Sequence, residues 1–138
     1  MTGLEMIEKA LSCCPGLTST GVDTGRKGVR GCTPLNAEQV ELCAAWLATQ
    51  PTVRPRSSKY YDSYHLKHVV EDWLSERDTP HYIANGAMIA AAIAMGYKTT
   101  PPMFGCPNLD VLLGRKLENC REQQEMRRLR AEAPWRRG

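Results

Sequence analysis

The chain has 138 residues, of which 42% are hydrophobic and 24% are charged, and its formal net charge is +3. This composition is typical of a single globular domain and excludes a largely disordered chain. No run of 18 apolar residues is present, which argues against a membrane-spanning helix. The N-terminus lacks the basic-then-apolar pattern of a secretory signal, so we expect a cytoplasmic protein.

The first two helices are predicted from caps and from apolar residues at helical spacing. Thr2 and Glu5 fit a capping box, and the helix that they begin ends at Pro15-Gly16. The apolar residues of this helix are Leu4, Ile7, Leu11 and Cys14. Asn36 is expected to cap a second helix, which ends at Gln50-Pro51. The inward-facing residues predicted for it are Val40, Cys43, Ala44, Trp46 and Leu47.

Two further helices follow in the middle of the chain. A third helix begins at Asp62 or Ser63. Its apolar stripe consists of Leu66, Val69, Val70, Trp73 and Leu74. Two pairs on its other face have the i,i+4 spacing of ion pairs, namely Lys67 with Glu71 and His68 with Asp72. A fourth helix, capped by Asn85 and ended by Gly96, is apolar on all sides and is predicted to be central and buried.

The last segment completes the predicted fold. Asn108 is expected to cap a fifth helix, with Leu109, Leu112, Leu113, Leu117 and Cys120 facing inward. The fold class predicted from the sequence is therefore all-α, a compact bundle of about five helices. Two long basic loops rich in glycine and proline, residues 16–35 and 51–61, join its helices. Residues 1–120 are predicted to form this single helical domain, and residues 121–138 a charged, basic C-terminal helix or tail.

Positive charge is concentrated towards the C-terminus. Residues 1–114 carry 10 Lys and Arg against 11 Asp and Glu, whereas residues 115–138 carry 8 against 4. Basic residues in the loops and tail, with tyrosines beside them, suit contacts with protein or nucleic acid. The predicted partner-binding residues are Arg26, Lys27, Arg30, Arg54, Arg56, Tyr60, Tyr61, Tyr64, Lys67, His68, Arg127, Arg128 and Arg130. The competing interpretations are an ion-paired, solvated tail and local packing of the tyrosines on the third helix.

Patterns for catalysis or metal binding are weak. His65 and His68 share a face of the third helix with Glu71 or Asp72 as a third ligand, but helical zinc pairs use a spacing of four residues. The six cysteines include no C-x-x-C pair, and they are interpreted as structural thiols. We therefore predict a protein that is not an enzyme and that holds no metal and no cofactor.

Three segments in the middle of the chain carry a resemblance. Ser63–Glu71 reads SYHLKHVVE, Tyr82–Ala92 reads YIANGAMIAAA before Gly96-Tyr97, and Pro107-Asn108 follows. This order resembles a family of small uncharacterised proteins found on phages, plasmids, integron cassettes and other mobile elements. The family pattern is roughly S-Y-x-L-K-H-x-x-E, then Y-x-x-N-G-x-x-I-A-A-A-x-x-x-G-[YF], then a Pro-Asn element. The resemblance covers about residues 54–112 and implies a genetic context without a particular chemistry.

That context leads to a functional prediction. Accessory proteins of mobile elements commonly act by binding, so the resemblance implies a non-enzymatic interaction protein. Its most concrete form is an anti-defence inhibitor of the anti-CRISPR kind, which binds a host defence protein or its nucleic-acid complex. The alternative is a regulatory protein that binds DNA or RNA through the basic loops and tail. No membrane partner is predicted, and a homodimer through the apolar stripe of the first helix remains an open alternative.

Overall fold

The structure is a computed structural model, and it describes residues 1–23, 34–50, 59–103 and 105–116. These ranges contain four helices and two small antiparallel sheets. The predicted all-α bundle is therefore wrong, because the fold combines helices with strands. The elements in chain order are α1 (Gly3–Cys13), β1 (Leu17–Thr18), β2 (Gly21–Val22), α2 (Ala37–Ala48), β3 (Lys59–Asp62), α3 (Ser63–Glu76), α4 (Asn85–Ala94), β4 (Tyr97–Thr99) and β5 (Asp110–Lys116).

Helix α4 is the centre of the hydrophobic core, as its apolar sequence predicts. Nine of its ten residues are buried, and it packs against α1, α2 and α3. Its alanines carry short side chains, which let the neighbouring helices approach closely. Gly96 follows the helix with a φ of 83°, a left-handed conformation that suits glycine and ends the helix. No helix in the described ranges combines the length and the apolar character that crossing a bilayer requires.

The predicted starts of the first three helices are confirmed. Thr2 and Glu5 form a reciprocal capping box at α1. At α2, Oδ1 of Asn36 accepts a hydrogen bond from the backbone N–H of Gln39. At α3, the cap is Asp62, whose Oδ1 accepts a hydrogen bond from the backbone N–H two residues later. Each cap satisfies a backbone donor that the helix itself leaves unpaired.

The face of helix α1 that packs against the core is not the face that carries its leucines. Its buried residues are Gly3, Met6 and Ala10. Leu4 is 67% exposed, and Leu11 is also exposed. The small residues face inward because α1 lies directly against α2, so closely that a Cβ on Gly3 would collide with the carbonyl oxygen of Ala37. Of the four predicted apolar residues of α1, Cys14 lies in the core and Ile7 packs against it, whereas the two leucines do not.

Strand β5 occupies the segment that was predicted to begin the fifth helix. It is the middle strand of a sheet with the order β3–β5–β4, and it is antiparallel to both neighbours. Tyr60 of β3 pairs with Leu112, and Tyr61 pairs with Val111. Leu109 and Val111 are buried while the residue between them is only partly buried, which is the alternation of a strand. The helix prediction fails here because paired leucines satisfy a helical spacing as well.

Both predicted long loops contain strands. Within residues 16–35, β1 and β2 pair into a hairpin that packs on α4. Within residues 51–61, the last three residues belong to β3. Residues 24–33 and 51–58 of these loops, as well as the predicted tail (residues 121–138), lie outside the described residues.

Candidate functional site

The polar and aromatic residues that carry the family resemblance gather into two clusters. The first, which we name the tyrosine patch, consists of Tyr64, Lys67, His68, Glu71 and Tyr82. The second, which we name the polar junction, consists of Ser63, Asn85 and Asn108. The four α3 residues of the patch share one helix face because they recur three or four positions apart.

Lys67 is the buried centre of the tyrosine patch. Its side chain is only 7% exposed. The Nζ atom lies 4.7 Å from the ring centroid of Tyr82 and 5.4 Å from that of Tyr64. It also lies 3.5 Å from Oε2 of Glu71. The two aromatic rings and the carboxylate offset the cost of removing the ammonium group from water. The positive charge of Lys67 is thus satisfied inside the molecule.

Glu71 connects α3 to the segment that leads into α4. Its Oε2 accepts a hydrogen bond of 3.0 Å from the backbone N–H of Ile83, and its Oε1 lies 3.0 Å from Nδ1 of His68. Burial acts to raise the pKa of Glu71, but the Ile83 hydrogen bond and the charge of Lys67 outweigh it, and the pKa lies below its ordinary value. The predicted Lys67–Glu71 pair is confirmed. His68 pairs with Glu71 as well, and not with Asp72 as its spacing indicated.

The tyrosines of the patch remain accessible although their rings are held in place. Tyr64 is 51% exposed and Tyr82 is 65% exposed. The Tyr64 ring meets the His68 ring edge-on at a centroid distance of 4.8 Å. Tyr60 and Tyr61 are also exposed, on the edge strand β3 that runs directly into α3. Tyr64 and Tyr82 therefore pack against neighbouring side chains and are still exposed. All four tyrosine rings are accessible to a partner.

The structure brings together three of the predicted partner-binding residues, Tyr64, Lys67 and His68, and it places Tyr60 and Tyr61 on the adjoining strand. Sequence reasoning did not include Tyr82 among them. Its position at the head of the second family segment, Tyr82–Ala92, was the available signal. The remaining predicted residues lie outside the described part of the chain: Arg26, Lys27, Arg30, Arg54, Arg56, Arg127, Arg128 and Arg130.

The polar junction is a buried network of side-chain hydrogen bonds. The Ser63 hydroxyl donates to Oδ1 of Asn85 at 2.8 Å, and it accepts from the backbone N–H of Leu109 at 3.2 Å. Nδ2 of Asn85 donates to Oδ1 of Asn108 at 2.8 Å and to the carbonyl of Thr20 at 3.2 Å. The network therefore ties α3, α4, the β1–β2 hairpin and the start of β5 to one point.

Two predicted caps are corrected by this network. Asn85 does not cap α4, because the N-cap residue is Ala84 and no side chain bonds the first turn there. Asn108 caps no helix, because a strand follows it. Both amides are used for bonds between elements, since each can donate and accept at the same time. Gly86 adds a backbone bond of 3.0 Å from its N–H to the carbonyl of Ser19.

The described residues contain no group of three or more His, Cys, Asp or Glu arranged to hold a metal ion. His65 is exposed, and His68 is engaged by Glu71. Cys13, Cys14, Cys43 and Cys106 are free thiols in the structure. Cys43 is fully buried, and burial together with the charge of Glu71 raises the pKa of its thiol.

A cavity of about 350 Å³ adjoins the tyrosine patch at Tyr82. It lies between the turn of the β1–β2 hairpin, the start of α2 and the start of α4. Its polar lining residues are Ser19, Thr20, Asn36 and Gln39, and its apolar ones are Pro34, Leu35, Ala84 and Ala87, with Tyr82 at the junction with the patch.

No protein-family model, no curated protein and no solved structure matches the chain. The resemblance to the mobile-element family therefore stays a prediction. The site itself is an accessible aromatic surface beside a small cavity.

Proposed function

We propose that this protein is a non-enzymatic interaction protein that binds the surface of another protein through the tyrosine patch and the adjoining tyrosines of β3. The observation that supports the proposal is the exposure of Tyr64 and Tyr82 on either side of the buried Lys67. Tyrosines supply large contact areas with few rotatable bonds, and rings already held in place lose little further freedom on binding.

The charge of the patch favours a protein partner over nucleic acid. Phosphate binding requires accessible positive charge. The ammonium group of Lys67 is covered by two rings and bonded to Glu71, so it is not presented to a phosphate. His68 is also paired with Glu71. The nucleic-acid alternative depends on arginines outside the described residues and stays a prediction.

The partner class in this proposal comes from the resemblance alone. For a protein of a mobile genetic element, it is a host defence protein, whose surface the tyrosine patch covers. Inhibition then follows from occlusion by shape and charge complementarity, with no chemical step. The proposed class of partner is independent of the proposed tyrosine interface, because exposed tyrosines can contact the surface of any protein.

Affinity capture from a bacterial lysate tests the proposal. The wild-type protein is compared with the double variant Tyr64→Ala/Tyr82→Ala, with and without nuclease. Leu4→Ala is the matched control, because it removes an equally exposed apolar side chain from α1, away from α3. Near-wild-type urea unfolding of each variant is required, so that lost binding reports the surface.

We expect one protein to be retained after nuclease by the wild type and by Leu4→Ala, and to be lost from the double variant. With the purified partner, the double variant should bind at least about tenfold more weakly. Raising salt from about 50 to 200 mM should change the affinity little, in contrast to phosphate binding. Equal retention by the double variant, or loss of the protein on nuclease treatment, would overturn the proposal.

A further inference from the structure

The cavity beside Tyr82 has the features of a small-molecule site in its own right. Its volume of about 350 Å³ falls within the range of ligand pockets. Its walls come from three elements that the polar junction and the α2 cap already hold in place. It is lined by both hydroxyl and amide groups, so it offers directional contacts as well as apolar surface.

Two carboxamides in the cavity are oriented with their amino groups unused. Oε1 of Gln39 accepts a hydrogen bond of 2.9 Å from the backbone N–H of Ala84. Oδ1 of Asn36 accepts one of 3.0 Å from the backbone N–H of Gln39. These bonds fix which end of each amide is the oxygen. Neither amino group donates to another residue in the described part of the chain, so both can donate to an acceptor on a ligand.

The rest of the lining limits the charge and shape of that ligand. None of the described residues that line the cavity is charged, so this part of the lining offers an ionic ligand no compensation for its lost hydration. Tyr82 contributes an accessible ring that the Lys67 ammonium holds in position. Such a ring favours stacking with a planar group. Pro34, Leu35 and Ala87 add apolar contacts.

We infer that the cavity binds an uncharged heteroaromatic ring with carbonyl or ring-nitrogen acceptors, which is the chemistry of a nucleobase. The ring stacks on Tyr82 and accepts hydrogen bonds from the amino groups of Gln39 and Asn36. Its source is either a free nucleoside or an unpaired base of a single strand. The site shares Tyr82 with the proposed protein interface but can be tested apart from it, because Gln39 and Asn36 belong only to the cavity.

A nitrogen-15 NMR titration tests this site with adenosine, guanosine, cytidine and uridine as probes. At least one nucleoside should produce saturable shifts of the backbone amides of Ser19, Thr20, Gln39 and Ala87. The matching 5′-monophosphate should bind no more tightly, because the described lining residues include no cation. A short single-stranded oligonucleotide that binds more tightly than the nucleoside assigns the ring to a strand, and equal binding assigns it to a free nucleoside.

Conservative variants make the test specific. Gln39→Glu and Asn36→Asp keep the oxygens that bond the backbone and replace each amino donor with a negatively charged acceptor, and aspartate is itself a good helix cap. Each should weaken nucleoside binding by about fivefold or more. Tyr82→Leu should weaken it by about tenfold, whereas Tyr82→Phe should preserve it.

Tyr64→Ala is the control for this site, and it should leave nucleoside binding unchanged. The inference is overturned if no nucleoside shifts the cavity amides saturably at millimolar concentration. It is also overturned if Gln39→Glu and Tyr82→Leu both bind like the wild type. Because Gln39→Glu leaves Tyr64 in place, loss of the nucleoside site is distinguishable from failure of the protein interface.

Discussion

The hydroxyl of Ser63 donates a 2.8 Å hydrogen bond to the side-chain oxygen of Asn85, and both side chains are buried. The bond joins the first residue of α3 to the first residue of α4. Because the bond is buried, water cannot readily take the place of a hydrogen-bond partner that is removed. The orientation of α3, which carries most of the tyrosine patch, is therefore fixed from inside the fold.

Removing this bond should destabilise the protein. Ser63→Ala leaves Oδ1 of Asn85 and the backbone N–H of Leu109 without the hydroxyl, and both are buried. We expect a loss of about 2 kcal/mol in the free energy of unfolding, measured by urea denaturation. Ser75→Ala, an exposed position on the same helix, should change it by less than about 0.5 kcal/mol. Equal stability of the two variants would contradict the role given to Ser63.

Gly86 is the second test of the polar junction. Alanine normally stabilises a helix interior by about 1 kcal/mol relative to glycine. Here the added Cβ would collide with the carbonyl of Thr18, because the β1–β2 hairpin lies against α4. Gly86→Ala should therefore lower the free energy of unfolding by about 2–3 kcal/mol.

Gly105→Ala provides the comparison for Gly86. A Cβ at Gly105 meets no atom of the described residues within 4 Å, but the residue has a φ of 80°. Backbone strain alone should cost about 1 kcal/mol at this position. A Gly86→Ala variant at least as stable as the wild type in thermal or urea unfolding would refute the close contact of hairpin and helix.

The helices were largely predictable because their signals are local. The Thr2–Glu5 capping box, the Asn36 cap and the terminating Gly96 each act within a few residues of the helix end that they define. The burial of α4 follows from an apolar sequence with no polar face. Nothing local marked the inward face of α1, because close packing of Gly3 on α2 depends on a distant segment.

The strands could not be predicted in the same way. Strand β3 has only four residues, all exposed, so no burial pattern distinguishes it from a loop. Around the start of β5, Leu109, Leu112 and Leu113 fit a helical spacing, while Leu109 and Val111 fit a strand. Pairing with β3 and β4 decides between them, and that pairing is not encoded within the segment.

The tyrosine patch was partly predictable because most of its residues lie close together in the sequence. Tyr64, Lys67 and Glu71 lie within two turns of α3, so their proximity follows from helical geometry. Tyr82 joins them through the Glu71–Ile83 hydrogen bond, which fixes the chain between α3 and α4. The cavity is formed where three separate segments meet, so it could not be predicted from the sequence without the fold.

Stability should depend on pH through Glu71. Its pKa is lowered in the folded protein, so the ionised form stabilises the fold above the ordinary carboxyl pKa. This contribution is lost as the pH falls through the folded-state pKa. Wild-type stability should therefore decrease as the pH falls below the ordinary carboxyl pKa of 4.5, and Glu71→Gln should lack that part of the decrease.

Urea unfolding at a series of pH values measures this dependence. At pH 7, Glu71→Gln should be less stable than the wild type, because Lys67 loses its counter-charge. The difference in the free energy of unfolding between the two proteins should become smaller as the pH is lowered. Asp72→Asn is the matched control, since Asp72 is exposed on the same helix and has no ion pair among the described residues. If that difference is the same at every pH, Glu71 does not cause the pH dependence of stability.

Thiol reactivity should distinguish the cysteines of the described chain. Cys13 is exposed, whereas Cys43 is fully buried with a raised pKa. Alkylation of Cys43 requires opening of the core, so it should be at least about 100-fold slower than that of Cys13. Iodoacetamide labelling at pH 8 with peptide mass spectrometry measures both rates, and denaturant should equalise them. Rapid native labelling of Cys43 would contradict its position in the core.

The position of β5 in its sheet has a consequence for biosynthesis. β3 and β4 each pair with β5 and not with one another, yet β5 follows both in the chain. On the ribosome, these two strands are made before the strand that unites them. Because non-local pairing is slow and unpaired strand edges promote association, the nascent chain passes through a stage that is open to aggregation. Pairing of the segment Asp110–Lys116 with both strands ends that stage.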